Sequence, residues 1–340
     1  MSRGISSSVN AVAKIAALSF VLLSLAGQCY GQLRPGFYTG KCTSRDFDFF
    51  SGQITSTEEN VEEIVTQKVA KEFARDPTLA AALLRLQFHD CFVEGCDASI
   101  LINGTSSEQQ AGPNKSVRGY DVIERIKGAL ERTCPGVVSC ADIVVLATRD
   151  AVALASNGNV RYPVRTGRRD GMTSLASNVN LPSPTIPVSQ SIDAFQKKGL
   201  NVTDMVLLLG AHTVGITHCG FFQDRLYRPD PTMDTNFREF LKTRCPQDGS
   251  GSNKPVVLDQ GTPMSVDKSY YVQIKRGRGI LQIDQDLATS GLTNKMVFEL
   301  ANGFDFAFRF GQAMVKLGEV EVKTGENGQI RRTCAAVNLL

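Results

Sequence analysis

Three observations predict a mainly α protein. Apolar residues recur at helical spacing through most of the 340 residues, helix-start signals precede the apolar runs, and strand-like alternation is scarce. No internal repeat or low-complexity linker divides the chain, so its core builds one large domain or two lobes.

In chain order, the N-terminus reads as an export signal. Arg3 and Lys14 supply positive charge, residues 15–26 form a short apolar run, and Cys29-Tyr30-Gly31 places small residues ahead of a cleavage point before Gln32. The run is too short for a comfortable membrane span, and no second candidate follows. Residues 1–31 are therefore expected to leave, and residues 32–340 to form a secreted domain with no membrane segment. Ser56 with Glu59 makes a capping box ahead of Val61, Ile64, Val65, Val69 and Phe73, which share one helical face. Asp76 is placed to N-cap the next helix, with Pro77 in its first position and residues 79–84 as its apolar body. Further helices are expected at residues 120–130, from Ser139 and Asp142 through residues 144–154, and at 188–198, 236–243 and 293–317. Pro- and Gly-containing stretches mark loops at 157–159, 181–187 and 248–255.

The charge balance excludes little by itself. The chain carries 37 Lys and Arg against 34 Asp and Glu, and Arg3 and Lys14 lie in the leader, so no strongly basic face argues for nucleic acid. Of nine cysteines Cys29 departs with the leader, and the even remainder in an exported chain implies disulfides. Their pairing is not readable from spacing. A zinc site is disfavoured because no short Cys-x-x-Cys pair is present.

The chemistry concentrates in residues 85–99, Arg-Leu-Gln-Phe-His-Asp-Cys-Phe-Val-Glu-Gly-Cys-Asp-Ala-Ser. Arg85 and His89 stand four apart on one helix face with Phe88 beside them. A neutral imidazole can accept a proton and return it, and a permanently charged guanidinium can stabilise negative charge developing next to it. Downstream, residues 204–215 end an apolar helix with His212, one of only three histidines. A histidine beside arginine and another closing a Leu-rich helix suit a haem held between them, with His212 on the iron and His89 on the open face.

These motifs resemble those of the secretory plant peroxidases, the class III group of the haem peroxidase superfamily. The resemblance covers nearly all of the mature chain, at residues 85–99, 210–215, 258–267 and 279–287. It implies the haem peroxidase fold, two helical lobes with haem b between them, and four disulfides: Cys42–Cys134, Cys91–Cys96, Cys140–Cys334 and Cys219–Cys245. It further implies that His89 shuttles the proton of hydrogen peroxide, that Arg85 stabilises charge as the O–O bond breaks, and that Phe88 walls the pocket. Asn114 would accept the other ring N–H of His89, Glu108 would extend that network, and Asp284 would accept the N–H of His212. One calcium would be held by Asp90, the carbonyls of Val93 and Gly95, Asp97 and Ser99. A second would be held by Thr213, Asp259, Thr262, Ser265 and Asp267. Pro182 and Phe221 match positions at the entrance for phenolic donors, small molecules or wall phenolics, although Phe221 also suits plain core packing. His218 either meets a haem propionate or caps a turn. The expected oligomeric state is a monomer.

The chain departs from the family pattern at three places. Thr43 follows Cys42 where Pro is usual, and residues 43–59 read as an inserted surface loop with Phe47, Phe49 and Phe50 packed down. Val266 and Lys268 stand where Phe and Asn are usual. A His/Asp hydrolase is disfavoured because no Gly-x-Ser-x-Gly or comparable nucleophile motif occurs. A haem-poor wall-binding protein is disfavoured by the intact Arg85, His89 and His212.

Overall fold

The helical periods become twelve α-helices in the structure, a computed structural model that describes residues 33–48, 53–228 and 230–339. The described chain first forms a β-hairpin. Strand β1 (Thr43–Asp48) pairs antiparallel with β2 (Gln53–Glu58), with Thr43 opposite Glu58 and Phe47 opposite Ile54. The expected surface loop is thus a pair of antiparallel strands, as suits a segment carrying Thr43, Phe47, Ile54, Thr55 and Thr57. How the rings of Phe47, Phe49 and Phe50 pack lies outside the described residues.

The hairpin also displaces the expected capping box. Ser56 is in β2, and Glu59 accepts the Ser44 hydroxyl at 2.9 Å. Helix α1 (Val61–Arg75) is capped instead by Asn60, whose side-chain oxygen accepts the N–H groups of Glu62 and Glu63 at 3.0 and 3.3 Å. The residue immediately before the first turn is the one whose side chain reaches those orphan donors. Helix α2 (Leu79–Cys91) starts two residues later than expected, because Asp76 Oδ1 accepts Thr78 N–H at 2.9 Å and holds Asp76–Thr78 as a lead-in turn. Helix α3 (Tyr120–Thr133) follows, then α4 (Cys140–Ala155), started as expected by Ser139 Oγ accepting Asp142 N–H at 3.1 Å. Buried on nearly every side, α4 packs against α1, α2 and α3.

The second group of helices begins with α5 (Val188–Lys197) and α6 (Val202–Leu209). After strand β3 (Ile216–His218), the short helices α7 (Gln223–Tyr227) and α8 (Thr235–Arg244) lead to β4 (Pro255–Val257), which pairs antiparallel with β3. Next come α9 (Ser269–Lys275), α10 (Gln282–Thr289), α11 (Asn294–Asn302) and α12 (Phe306–Leu317). The single helix expected over 293–317 is broken between α11 and α12. At Gly303 a side chain would press its Cβ to 2.8 Å from the Glu299 carbonyl oxygen, and Lys268 Nζ donates to the Gly303 carbonyl at 2.7 Å. Helix α6 packs on α5 and α12, and α9 on α10 and α11. Both helix groups share one contiguous apolar core, while Phe222, Leu226, Phe237 and Leu241 form a satellite core around Cys219–Cys245.

Cys42 pairs with Cys134, Cys91 with Cys96, Cys140 with Cys334 and Cys219 with Cys245. The 157–159 and 181–187 stretches are irregular, as is 248–254 up to β4. Among the described residues no helix is long and apolar enough to cross a membrane.

Candidate active site

One face of α2 carries Arg85, Phe88 and His89, and the turn Gly112–Asn114 closes over it. Arg85 donates to the Pro113 carbonyl at 3.0 Å, and His89 Nδ1 lies 2.6 Å from Asn114 Oδ1. The Asn114 amide is oriented by its own donation to the Glu108 carbonyl at 2.8 Å. Its oxygen therefore faces His89, and because that oxygen can only accept, Nδ1 carries the proton and Nε2 is left as a free base. Glu108 does extend the network, but through its backbone.

His89 is only 7% exposed, and its pKa is lowered to about 4. Burial is the largest cause and the Arg85 charge the second, with the Asn114 bond opposing both. Arg85 is exposed by area, yet surrounding protein lowers its pKa, the combination expected of a side chain lining a cleft. Phe88 packs on Phe92 and Phe195, with ring centroids 4.7 and 6.0 Å away, which fixes the wall beside His89.

The opposite histidine is delivered by the end of α6. Asn201 Oδ1 accepts Asp204 N–H and Asp204 accepts Asn201 N–H, both at 3.0 Å, so a full capping box starts this helix. At its other end the chain tightens into a 3₁₀ turn, Gly210–Thr213. Tyr271 lies against Gly210 so closely that no side chain would fit there, and its hydroxyl donates to the Val206 carbonyl at 3.0 Å. His212 Nδ1 donates to Asp284 Oδ1 at 2.8 Å, from a ring whose side chain is 30% exposed to a carboxylate only 2% exposed. Tyr270 donates to the same oxygen at 3.0 Å.

The two histidine segments meet along α2. A Cβ at Gly215 would lie 3.0 Å from that of Ala81. Ala81, Arg85 and His89 follow one another on a single helical face, so His89 stands about 12 Å beyond that contact at 1.5 Å per residue. Both rings are anchored at Nδ1, and neither Nε2 has a hydrogen-bond partner among the described residues. A soft nitrogen donor on one side and a base with a cation on the other form a donor set that fits haem.

Both sets of oxygen-bearing residues expected to hold calcium come together. Asp90 accepts Ala98 N–H at 2.9 Å, and Asp97 accepts Ser99 N–H at 2.9 Å and the Lys323 ammonium at 2.5 Å. The Gly95 carbonyl accepts Asp97 N–H at 2.8 Å, and the Val93 carbonyl accepts Lys198 at 3.0 Å. Ser99 Oγ and both Glu108 carboxylate oxygens are buried with no hydrogen-bond partner among the described residues. Burial raises the pKa of Asp90, with the charges of Asp97 and Glu108 adding to it, and burial likewise raises Glu108 to about 7. Crowded carboxylates beside an orphaned hydroxyl suit a divalent cation. In the second set Thr213 Oγ1 lies 3.0 Å from Asp259, 3.3 Å from the Ser265 carbonyl and 3.5 Å from Asp267, and Thr262 bonds Asp267 at 3.0 Å. Among the described residues no three His, Cys, Asp or Glu side chains form a cage, so both sets depend on carbonyl and hydroxyl oxygens.

Phe221 projects 57% exposed from the turn after β3, which removes the core-packing reading. Pro182 is half-buried in the loop before α5. His218 sits in β3 opposite Pro255. Sequence reading missed the Pro113 carbonyl, the Asn201 cap and Tyr270. The Asn201–Asp204 spacing was an available signal, whereas no local pattern announces a bond across 14 residues.

Two histidines anchored at Nδ1, one beside an arginine and one on a carboxylate, are a set that a haem peroxidase could use, and comparison with known proteins gives the family. A family model described as peroxidase matches residues 65–303. Peroxidase 60 of Arabidopsis thaliana is 49% identical over 326 residues, covering 93% of each chain. Peroxidase 44 of the same plant is 47% identical over 330 residues, 95% of this chain and 99% of its own. Peroxidase N1 of Nicotiana tabacum is 44% identical over 299 residues, 84% and 90% respectively. The chain belongs to the peroxidase family, in its plant class III group, and is a peroxidase enzyme.

Proposed function

We propose that residues 32–340 form a secreted, monomeric haem b peroxidase that reduces hydrogen peroxide to water and oxidises phenolic donors in two one-electron steps. His212 would hold the haem iron through Nε2, with Asp284 making that ring electron-rich. Bound haem supplies the electrons that cleave the O–O bond and recovers them from donors one at a time. His89 Nε2 takes the proton from one peroxide oxygen and returns it to the other, which leaves as water. The Arg85 guanidinium stabilises negative charge on the departing oxygen. Phe88 restricts the space beside His89, and Phe221 and Pro182 border the entrance for donors.

The observation that carries this reading is the paired anchoring of His89 on Asn114 and His212 on Asp284, which leaves both Nε2 atoms free. The two oxygen sets, one beginning beside His89 at Asp90 and the other beside His212 at Thr213, would each hold calcium and brace those histidines. The apolar leader and the four disulfides support export to the cell wall space.

Haem-loaded protein should show a Soret band that shifts when peroxide is added. A preparation with no such band, or none that responds to peroxide, overturns the reading. Prolonged chelation should release about two calcium ions per chain, with loss of both activity and thermal stability. Full activity without metal would sink the bracing role.

A further inference from the structure

Asp284 Oδ1 accepts two hydrogen bonds, one from His212 Nδ1 at 2.8 Å and one from the Tyr270 hydroxyl at 3.0 Å. Asp284 and Tyr270 are each only 2% exposed, so water does not compete for that oxygen. We propose that Tyr270 is a positioning residue that shares the carboxylate with His212 and thereby limits the negative charge passed to the ligand ring. This rests on His212 being the haem ligand.

Sharing is built into the packing. The Tyr270 ring stands edge-on to His212, centroids 6.2 Å apart at 84°, and edge-on to Tyr271 at 5.0 Å and 76°. Wedged between two rings, the phenol has Asp284 as its one hydrogen-bond partner among the described residues. With a phenol pKa ordinarily near 10 and burial raising it further, Tyr270 remains the donor. Among the described residues Tyr270 is the aromatic ring that meets His212.

The electrostatic consequence has a definite direction. Two donors on one oxygen divide its charge, and each bond weakens the other, more so where the dielectric is low. Without Tyr270 the carboxylate would act on His212 alone, the ring would gain imidazolate character, and the higher oxidation state of iron would be favoured.

Three haem-loaded proteins test this: wild type, Tyr270→Phe and Tyr271→Phe. Tyr270→Phe keeps the ring and loses the donor. It should raise the iron–histidine stretching frequency in resonance Raman spectra of the ferrous protein and move the ferric/ferrous midpoint to more negative potential. Tyr271→Phe loses a bond to the Val206 carbonyl but none to Asp284, so it should lower thermal stability and leave frequency and midpoint at the wild-type values. Fluorinated tyrosine at position 270, a stronger donor of the same shape, should move both readouts the opposite way and covers the case in which Tyr270→Phe does not fold. Wild-type values in Tyr270→Phe, or equal shifts in the two phenylalanine variants, overturn the proposal. Wild-type protein with no iron–histidine mode would overturn the ligand assignment itself.

Discussion

The two histidines of the site are held alike, and the proposed function uses them differently. Each gives its Nδ1 proton to a buried oxygen from a separate segment, Asn114 for His89 and Asp284 for His212. On the α2 side the acceptor is neutral, so the ring gains orientation with little added basicity, and burial beside Arg85 pushes its pKa down to about 4. On the α6 side the acceptor is a carboxylate, which enriches the ring electronically and suits it to bind iron. On the proposed function, the acceptor's charge, more than the histidine itself, separates a proton carrier from a ligand.

Removing the carrier should have the largest effect. His89→Ala should slow the reaction with peroxide by more than the roughly 10²–10⁴-fold typical of one acid–base group, because one residue serves both proton transfers, while the Soret band persists. Unchanged rates in rapid mixing would assign proton transfer elsewhere. Neutralising the other acceptor comes next. Asp284→Asn keeps the geometry and removes the charge, and should cost about 10–100-fold in haem affinity or activity, as such outer partners do. Haem titration that matched the wild type would show that the acceptor's charge does not matter.

Exchanging acceptors sharpens the comparison further. Since His89 must be neutral to accept a proton, the peroxide rate should stay level as pH falls and decline only through about pH 4. Asn114→Asp places a carboxylate at Nδ1 and favours the imidazolium, so the declining limb should move to higher pH. A limb that stays in place breaks the comparison. Stability carries a matching sign. The folded pKa of His89 lies below the unfolded value near 6.5, so the unfolded chain takes up the proton first and stability should fall as pH drops from about 6.5 toward 4.

The smallest effect concerns three glycosylation sequons, at Asn103, Asn114 and Asn201. Asn103 and Asn201 are exposed, while Asn114 is 1% exposed and its amide already donates to the Glu108 carbonyl. Glycopeptide mass spectrometry of active protein should find sugar at Asn103 or Asn201 and none at Asn114. High occupancy at Asn114 would refute its role as the anchor of His89.

Much of the site was legible because its residues lie in short local patterns. Arg85, Phe88 and His89 share one helix face by spacing alone, and His212 closes an apolar run. What was not legible depends on partners distant in sequence or on competition between near-equal local choices. Ser56 and Asn60 both carry capping side chains, and the hairpin of residues 43–58 decided between them. The break at Gly303 could be suspected from Asn302-Gly303, but a continuous apolar period ran across it. Phe221 is exposed in the turn that follows β3, whose partner β4 lies 36 residues further on, a pairing that no local spacing reports.

The Cys140–Cys334 bridge ties the start of the most buried helix to the end of the chain across 194 residues. At a synthesis rate of about 5–20 residues per second, Cys334 emerges roughly 10–40 s after Cys140. During that interval Cys42, Cys91, Cys96 and Cys134, and later Cys219 and Cys245, are all available to it. A correct framework therefore requires Cys140 to stay unreacted while the Cys42–Cys134, Cys91–Cys96 and Cys219–Cys245 bridges close, or a later exchange to release it. The last cysteine of the chain thus makes oxidative maturation a problem of timing.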